Sequence, residues 1–118
     1  MDQDDIDKIE KIIQDREKAH QTFLKSGSKV YKSFIELEQN TFSNGELKKV
    51  DKELIALGIS IVINCESCIE WHIKEAIKSG ASDGQILEAI EVGIEMGGGP
   101  ATVSSRFALK VLEYYEKI

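Results

Sequence analysis

An apolar helix and a pair of cysteines are encoded by one stretch of the chain, KELIALGISIVINCESCIEWH, residues 52–72. Its first part holds ten successive residues, Leu54 to Ile63, that include one glycine and one serine. This run is too short to span a bilayer, which takes about 20 apolar residues. The β-branched end could form a strand, but no partner strand is evident. We therefore predict a helix from about Leu47 to Ile63, apolar all round in its second half and buried in a core or a subunit interface.

The second part of the stretch brings the chain's two cysteines close to a histidine. Cys65 and Cys68 are three residues apart, and His72 follows Cys68 by four. On an α-helix these spacings put side chains on the same face. Two thiols beside a base are the minimal equipment for reversible thiol–disulfide chemistry.

Helical signals also dominate the rest of the sequence, which has one proline and no convincing strand alternation. We expect Asn64 to cap the cysteine helix and Ser82 with Gln85 to form a capping box for the next one. The last helix should present an apolar stripe of Val103, Phe107, Val111 and Tyr114. The predicted all-α fold has six helices. The first is Asp4–Lys25, and the second is marked by Val30, Phe34 and Leu37 and ends at Asn40–Gly45. The other four are Leu47–Ile63, Cys65–Ser79 followed by Gly80, Asp83–Met96, and a last helix from Pro100 to about Lys117.

Composition narrows the class of protein. A chain of 118 residues with 42% hydrophobic and 31% charged residues is typical of one globular domain, residues 1–118. The net charge of −6 argues against binding to nucleic acid. The acidic start, with Asp2, Asp4, Asp5 and Asp7, is unlike a signal peptide. We expect a cytoplasmic protein without a membrane segment, in which a CxxC pair is catalytic, redox-sensing or metal-binding rather than a structural staple.

Four interpretations of the cysteine helix remain open from the residues alone. The cysteines could be small buried hydrophobes beside a surface histidine. Together with Glu53 they could bind zinc, although structural zinc sites usually join separate elements through a second ligand pair. They could also form a redox sensor or binding module without turnover, or the active site of an enzyme. Their place in the first turn of a helix favours chemistry, because the helix terminus stabilises a thiolate.

The two thiols are expected to have different roles. Cys68 and His72 are one turn apart, about 6 Å along the helix axis, whereas Cys65 and His72 are about 10.5 Å apart. The histidine can therefore act as a base for Cys68, which we predict to be the nucleophile, with Cys65 as the resolving thiol. The helix terminus acts in the opposite sense, since it favours the first cysteine.

Glu53 is ambiguous from spacing alone. It lies among charged residues, and charged helix positions are mostly exposed, so its spacing favours a solvated side chain. If the two helices fold back as a hairpin, however, Glu53 could face the dithiol and relay protons.

Several motifs together resemble the alkylhydroperoxidase D/carboxymuconolactone decarboxylase-like family over about residues 47–112. They are Lys52–Leu57, Cys65-x-x-Cys68-x-x-x-His72, Gly80-Ala81-Ser82 and Met96–Ala101. The resemblance implies an all-helical fold, assembly into trimers or hexamers, and an active site with Cys68 as the peroxidatic cysteine, Cys65 resolving, and Glu53 and His72 as proton relay. Ser67 is a departure, since the best-known peroxidase of the family has a histidine before its second cysteine.

The expected function is thus that of a thiol-dependent peroxide reductase. Its partners would be a peroxide, an external dithiol reductant and further copies of the chain, with no metal or organic cofactor. A redox-sensing or binding module is the alternative. A decarboxylase-type lyase is disfavoured because those family members lack the redox pair. Trp71 and His20 carry no specific signal and are expected to be packing or surface residues.

Overall fold

The computed structural model describes residues 1–116, which form six helices and no strand. The predicted all-α fold is confirmed, and the predicted end of the last helix at Lys117 lies outside the described residues. The helices are α1 (Gln3–Ser26), α2 (Lys29–Thr41), α3 (Lys49–Val62), α4 (Glu66–Lys78), α5 (Asp83–Gly97) and α6 (Gly99–Glu116).

Local signals end and start these helices. Gly27 stops α1 in the left-handed conformation, at φ 70°, which costs glycine little because it has no Cβ. Ser82 Oγ accepts a hydrogen bond from the Gln85 amide, and Gln85 Oε1 accepts one from the Ser82 amide, so the predicted capping box at α5 is present.

Helix α3 lies at the centre of the fold and packs against α4, α5 and α6. Helix α1 contributes the buried Ile9 and crosses α4 and α6, while α2 buries none of its side chains and contacts α1. The apolar core consists of Ile9, Leu57, Ile61, Ile69, Ile73, Ala76, Ile86, Ile90, Ala101, Phe107, Ala108, Val111 and Leu112.

The prediction that Asn64 caps α4 is wrong. The cap is Cys65, whose Sγ accepts a hydrogen bond from the Cys68 amide at 3.2 Å. Asn64 adopts a left-handed conformation with φ 53° and follows the end of α3. Asparagine tolerates this conformation better than most residues. Its Oδ1 instead accepts a hydrogen bond from Ser104 Oγ of α6 at 2.8 Å, so the side chain ties the α3–α4 connection to the core.

Two apolar surfaces differ from expectation. Val103 was predicted to belong to the apolar stripe of α6, but it is exposed, whereas its neighbour Ser104 and the nearby Ala108 are buried on the inner face of the helix. Helix α3 packs against α4, α5 and α6, but in the single chain it leaves Ile55 and Ile59 more than half exposed.

Glycine permits the closest approach between α3 and α5. A Cβ at Gly93 would lie 2.8 Å from Ile61 Cβ and 3.0 Å from the Gly58 carbonyl oxygen. Real Cβ atoms do not approach other atoms so closely, and neither a backbone carbonyl nor a β-branched core residue can move away easily.

We therefore predict that Gly93→Ala lowers the melting temperature. Overpacking a core typically costs about 1–3 kcal/mol, which exceeds the gain of about 1 kcal/mol from replacing a helical glycine by alanine. Gly84→Ala is the matched control in the same helix, since its Cβ would meet nothing closer than Ser82 Oγ at 3.8 Å. Equal melting temperatures for the two variants would contradict this account of the α3–α5 contact.

Candidate active site

The two cysteines occupy the first turn of α4 and its cap. They are joined in a disulfide between Cys65 and Cys68. The Cys65 amide donates to the Ser60 carbonyl oxygen at 3.1 Å, which folds the connection tightly back on the end of α3. The close pairing expected from the CxxC spacing is therefore present.

Glu53 lies in the interior and not on the surface, although spacing alone favoured a solvated side chain. It is 1% exposed, and its two oxygens have different partners. Oε1 lies 2.7 Å from His72 Nδ1, and Oε2 accepts a hydrogen bond from Lys49 Nζ at 2.6 Å. Lys49 also contacts Glu75 Oε1 at 3.4 Å. We call these four residues, Lys49, Glu53, His72 and Glu75, the Glu53 cluster.

This arrangement fixes the proton on the histidine ring. A carboxylate can only accept hydrogen bonds, so the short contact with Glu53 requires Nδ1 of His72 to carry a proton. In the neutral ring, Nε2 is then unprotonated and able to act as a base. The Phe42 ring lies 5.2 Å from the His72 ring, between centroids, and covers part of it.

The charge on Lys49 is maintained by the same cluster. Burial acts to lower the pKa of Lys49, but the hydrogen bond and charge of Glu53, together with Glu75, raise it above its usual value. A raised folded-state pKa contributes stability that is fully present below the unfolded-state pKa, about 10.4, and is lost as the pH rises through the folded-state pKa. Lys49 therefore stays charged at neutral pH and compensates the buried carboxylate.

A cleft of about 690 Å³ opens beside these residues. Cys68 and His72 line it, whereas Cys65 is not among the described residues on its wall. The other lining residues come from the first four helices and the end of α2; some are charged, such as Arg16, Glu17 and Glu38, and others are aromatic or apolar. They include His20, Tyr31, Phe34, Ile35, Phe42 and Trp71. The second cysteine is thus the one that a molecule in the cleft would meet.

A second buried carboxylate lies on the other side of the cysteine turn. Glu70 is fully buried, and its Oε1 lies 2.6 Å from Arg16 Nη1 in an ion pair that lacks hydrogen-bond alignment. Its Oε2 accepts a hydrogen bond from the Tyr115 hydroxyl. Burial raises the pKa of Tyr115 far above its usual value, and the hydrogen bond with Glu70 and the negative charge of Glu70 act in the same direction. The phenol therefore keeps its proton and donates this hydrogen bond.

Arg16 also reaches the backbone next to the nucleophile candidate. Its Nη2 donates to the Ser67 carbonyl oxygen at 2.9 Å and to Ser67 Oγ at 3.0 Å. Its guanidinium carbon lies 5.2 Å from the Trp71 ring centroid, within cation–π range. One side chain of α1 therefore holds three positions of α4, residues 67, 70 and 71.

Some of these residues were missed by sequence reasoning. His20 and Trp71 were expected to be packing or surface residues, yet both line the cleft. Glu70 left a detectable signal, since it lies beside Ile69 and one turn before Ile73 on the buried face of α4. A charge at such a position indicates a buried ion pair. Nothing in the sequence pointed to Arg16 as the partner.

Two negative findings concern the described residues. Within residues 1–116 no group of three or more His, Cys, Asp and Glu side chains has an arrangement that could hold a metal ion. Over the same residues, no helix is both long and apolar enough to cross a membrane.

Comparison with known proteins places the chain in a family. Residues 28–111 match the carboxymuconolactone decarboxylase family. "Uncharacterized protein 4 in cox locus" of Paracoccus denitrificans is 39% identical over 89 residues, which cover 75% of this chain and 80% of that protein. An alkyl hydroperoxide reductase AhpD from Anaeromyxobacter is 36% identical over 56 residues, 48% of this chain. The matched segment spans only 30% of that longer protein.

Solved structures agree with the sequence matches. A carboxymuconolactone decarboxylase family protein from Legionella pneumophila superimposes with a TM-score of 0.87 at 30% identity, covering 92% of this chain and 97% of that one. A Thermotoga maritima protein of the same family gives 0.83 at 29% identity, with 91% of each chain covered. The resemblance drawn from the Glu53, Cys65, Cys68 and His72 pattern is thereby confirmed: the chain belongs to the carboxymuconolactone decarboxylase family.

Proposed function

We propose that the protein is a thiol-dependent peroxide reductase in which Cys68 is the peroxidatic cysteine. The observation that carries the proposal is the position of Cys68 on the wall of the cleft, together with a histidine whose Nδ1 proton is held by the buried Glu53. Relatives named alkyl hydroperoxide reductase AhpD support it, as does the antioxidative role suggested for the Thermotoga maritima protein.

In the proposed cycle, Nε2 of His72 takes the proton from the Cys68 thiol. The thiolate attacks the distal oxygen of the peroxide, the O–O bond breaks, and the leaving alkoxide takes a proton and departs as an alcohol. Cys68 is then a sulfenic acid. The Cys65 thiol attacks its sulfur, a water molecule leaves, and the Cys65–Cys68 disulfide forms. An external dithiol returns two electrons and two protons, restoring both thiols and becoming a disulfide itself.

The cleft favours an organic peroxide over a strongly charged one. Its aromatic wall suits an apolar group. The two cations on its wall, Arg16 and Lys49, are each already paired with a buried glutamate. A substrate carboxylate would therefore find no cation without a partner among them.

The first test of the function separates the roles of the two cysteines. We predict that Cys68→Ser abolishes reduction of an organic hydroperoxide with a dithiol as reductant. Cys65→Ser should leave a sulfenic acid at Cys68 that a dimedone probe traps and mass spectrometry locates. The opposite pattern, with sulfenic acid at Cys65, would show that the helix terminus selects the nucleophile. If the disulfide forms but peroxide is not consumed catalytically, the protein is a redox-sensing module.

The second test concerns the proton relay. His72→Ala and Glu53→Gln should each raise the pH at which reduced Cys68 reacts with a thiol probe. Loss of a general base typically costs about 10²–10⁴-fold in rate, so the effect of His72→Ala should be the larger. Because both residues act on one proton path, the double variant should show less than the sum of the single effects. An unchanged pH profile in Glu53→Gln would remove Glu53 from the relay.

We further propose that copies of the chain assemble through the apolar face of α3 and α5. We define this face by Ile55, Ile59, Val62, Val92 and Met96, all of which are exposed in the single chain. They surround a shallow groove of about 670 Å³. A contiguous apolar surface of this kind is typical of an interface, and the family resemblance indicates a trimer or hexamer.

Sedimentation tests this assembly. The protein at micromolar concentration should sediment as a trimer or a multiple of it, and Val92→Glu should shift it toward monomer, because the carboxylate would be buried without a partner. Val30→Glu is the control, since Val30 is also exposed but lies on α2, outside this face. A monomeric wild-type protein would contradict the proposal.

A further inference from the structure

We infer that Arg16 is a positioning residue for the Cys68 thiolate: it fixes the first turn of α4 and holds a positive charge at the wall of the cleft on which Cys68 lies. Arg16 lies outside residues 28–111, the part that matches the family. The inference rests on the proposed function only in taking Cys68 as the reactive thiol.

The first step is the way Arg16 holds the turn. Ser67 immediately precedes Cys68, and both its carbonyl oxygen and its hydroxyl accept hydrogen bonds from the Arg16 guanidinium. A planar guanidinium with several donors can engage two acceptors at once, which a lysine ammonium cannot do with the same rigidity. The backbone that carries Cys68 is thus held from α1.

The second step is the way Arg16 itself is held. The fully buried Glu70 binds Nη1, and the Tyr115 hydroxyl of α6 fixes Glu70 from the far side. The Trp71 ring lies against the guanidinium. Arg16 of α1 is therefore held by several contacts with α4, which α6 supports through Tyr115, while 26% of its side chain remains exposed.

The third step is electrostatic. A fixed cation near a thiol favours the thiolate and lowers the thiol pKa. Glu70 offsets part of this charge, so Arg16 and Glu70 must act on Cys68 in opposite directions. The other titratable groups on the cleft wall are the Glu53 cluster from α3 and α4, Glu17 and His20 from α1, and Tyr31 and Glu38 from α2. Within residues 1–116, none of these groups forms a hydrogen bond with Ser67, whereas Arg16 does.

The opposite signs make the inference testable without peroxide turnover. The measurement is the rate of iodoacetamide alkylation of Cys68 as a function of pH, on reduced protein carrying Cys65→Ser so that Cys68 is the sole cysteine. In this background Glu70→Gln should lower the apparent pKa of Cys68, because the Arg16 charge loses its counter-ion. Adding Arg16→Gln to Glu70→Gln should raise it again, past the starting value.

Each shift should be on the order of half a unit to one unit, below the 1–3 units of an unscreened close pair, because Arg16 is partly solvated. Working in the Glu70→Gln background avoids leaving a buried carboxylate without its cation.

Arg16→Lys keeps the charge but loses the bidentate hold on Ser67, so it should slow alkylation at every pH. Lys8→Gln is the control: Lys8 also lies on α1 and pairs with Glu66 of the same turn of α4, but it does not line the cleft.

Unchanged pKa values in Glu70→Gln and in the double variant would overturn the inference, as would equal shifts in the Lys8→Gln control. The proposed function is judged separately, by peroxide consumption. Alkylation shifts of the expected signs in a protein that reduces no peroxide would leave the role of Arg16 standing and remove the peroxidase.

Discussion

The contact between Glu53 and His72 is the constraint on which the rest of this site depends. A carboxylate that is 1% exposed is stable only when other groups compensate its charge and hydrogen-bonding capacity. His72 and Lys49 do so, one from α4 and the other from the preceding turn of α3. The contact thus links the two helices of the cysteine hairpin and at the same time determines which histidine nitrogen is free.

Two buried glutamates flank the cysteine turn, and each has a cation and a further donor. Glu53 has Lys49 and His72, whereas Glu70 has Arg16 and Tyr115. Buried ion pairs of this kind add little net stability compared with apolar packing, but breaking one leaves a charge that is expensive to bury. Their value here is geometric, because they hold α1, α3, α4 and α6 in a fixed relation around Cys68.

Much of this could be predicted from the sequence because the signals are local. The helices, the capping box at Ser82 and the stop at Gly27 depend on neighbouring residues, and the CxxCxxxH pattern depends on the helical period. The burial of Glu53 could not be deduced from spacing, since it depends on how α3 packs on α4. The family resemblance implied a role for Glu53 in the active site, but not its burial.

The failures also have a physical origin. The side chain of Asn64 suits a helix cap, but the sharp connection between α3 and α4 has a left-handed residue at that point, and Cys65 is the cap. The Arg16–Glu70 pair joins residues 54 positions apart, and no local pattern records such a contact.

The tautomer of His72 is the most direct test of the account. Long-range proton–nitrogen NMR on the reduced protein, labelled with ¹⁵N, distinguishes the protonated ring nitrogen from the free one. In the neutral form of the ring we predict the proton on Nδ1, and an Nε2 resonance that moves as Cys68 ionises and stays in place in Cys68→Ser. A proton on Nε2 of the neutral ring, or an Nε2 resonance that ignores Cys68, would contradict it.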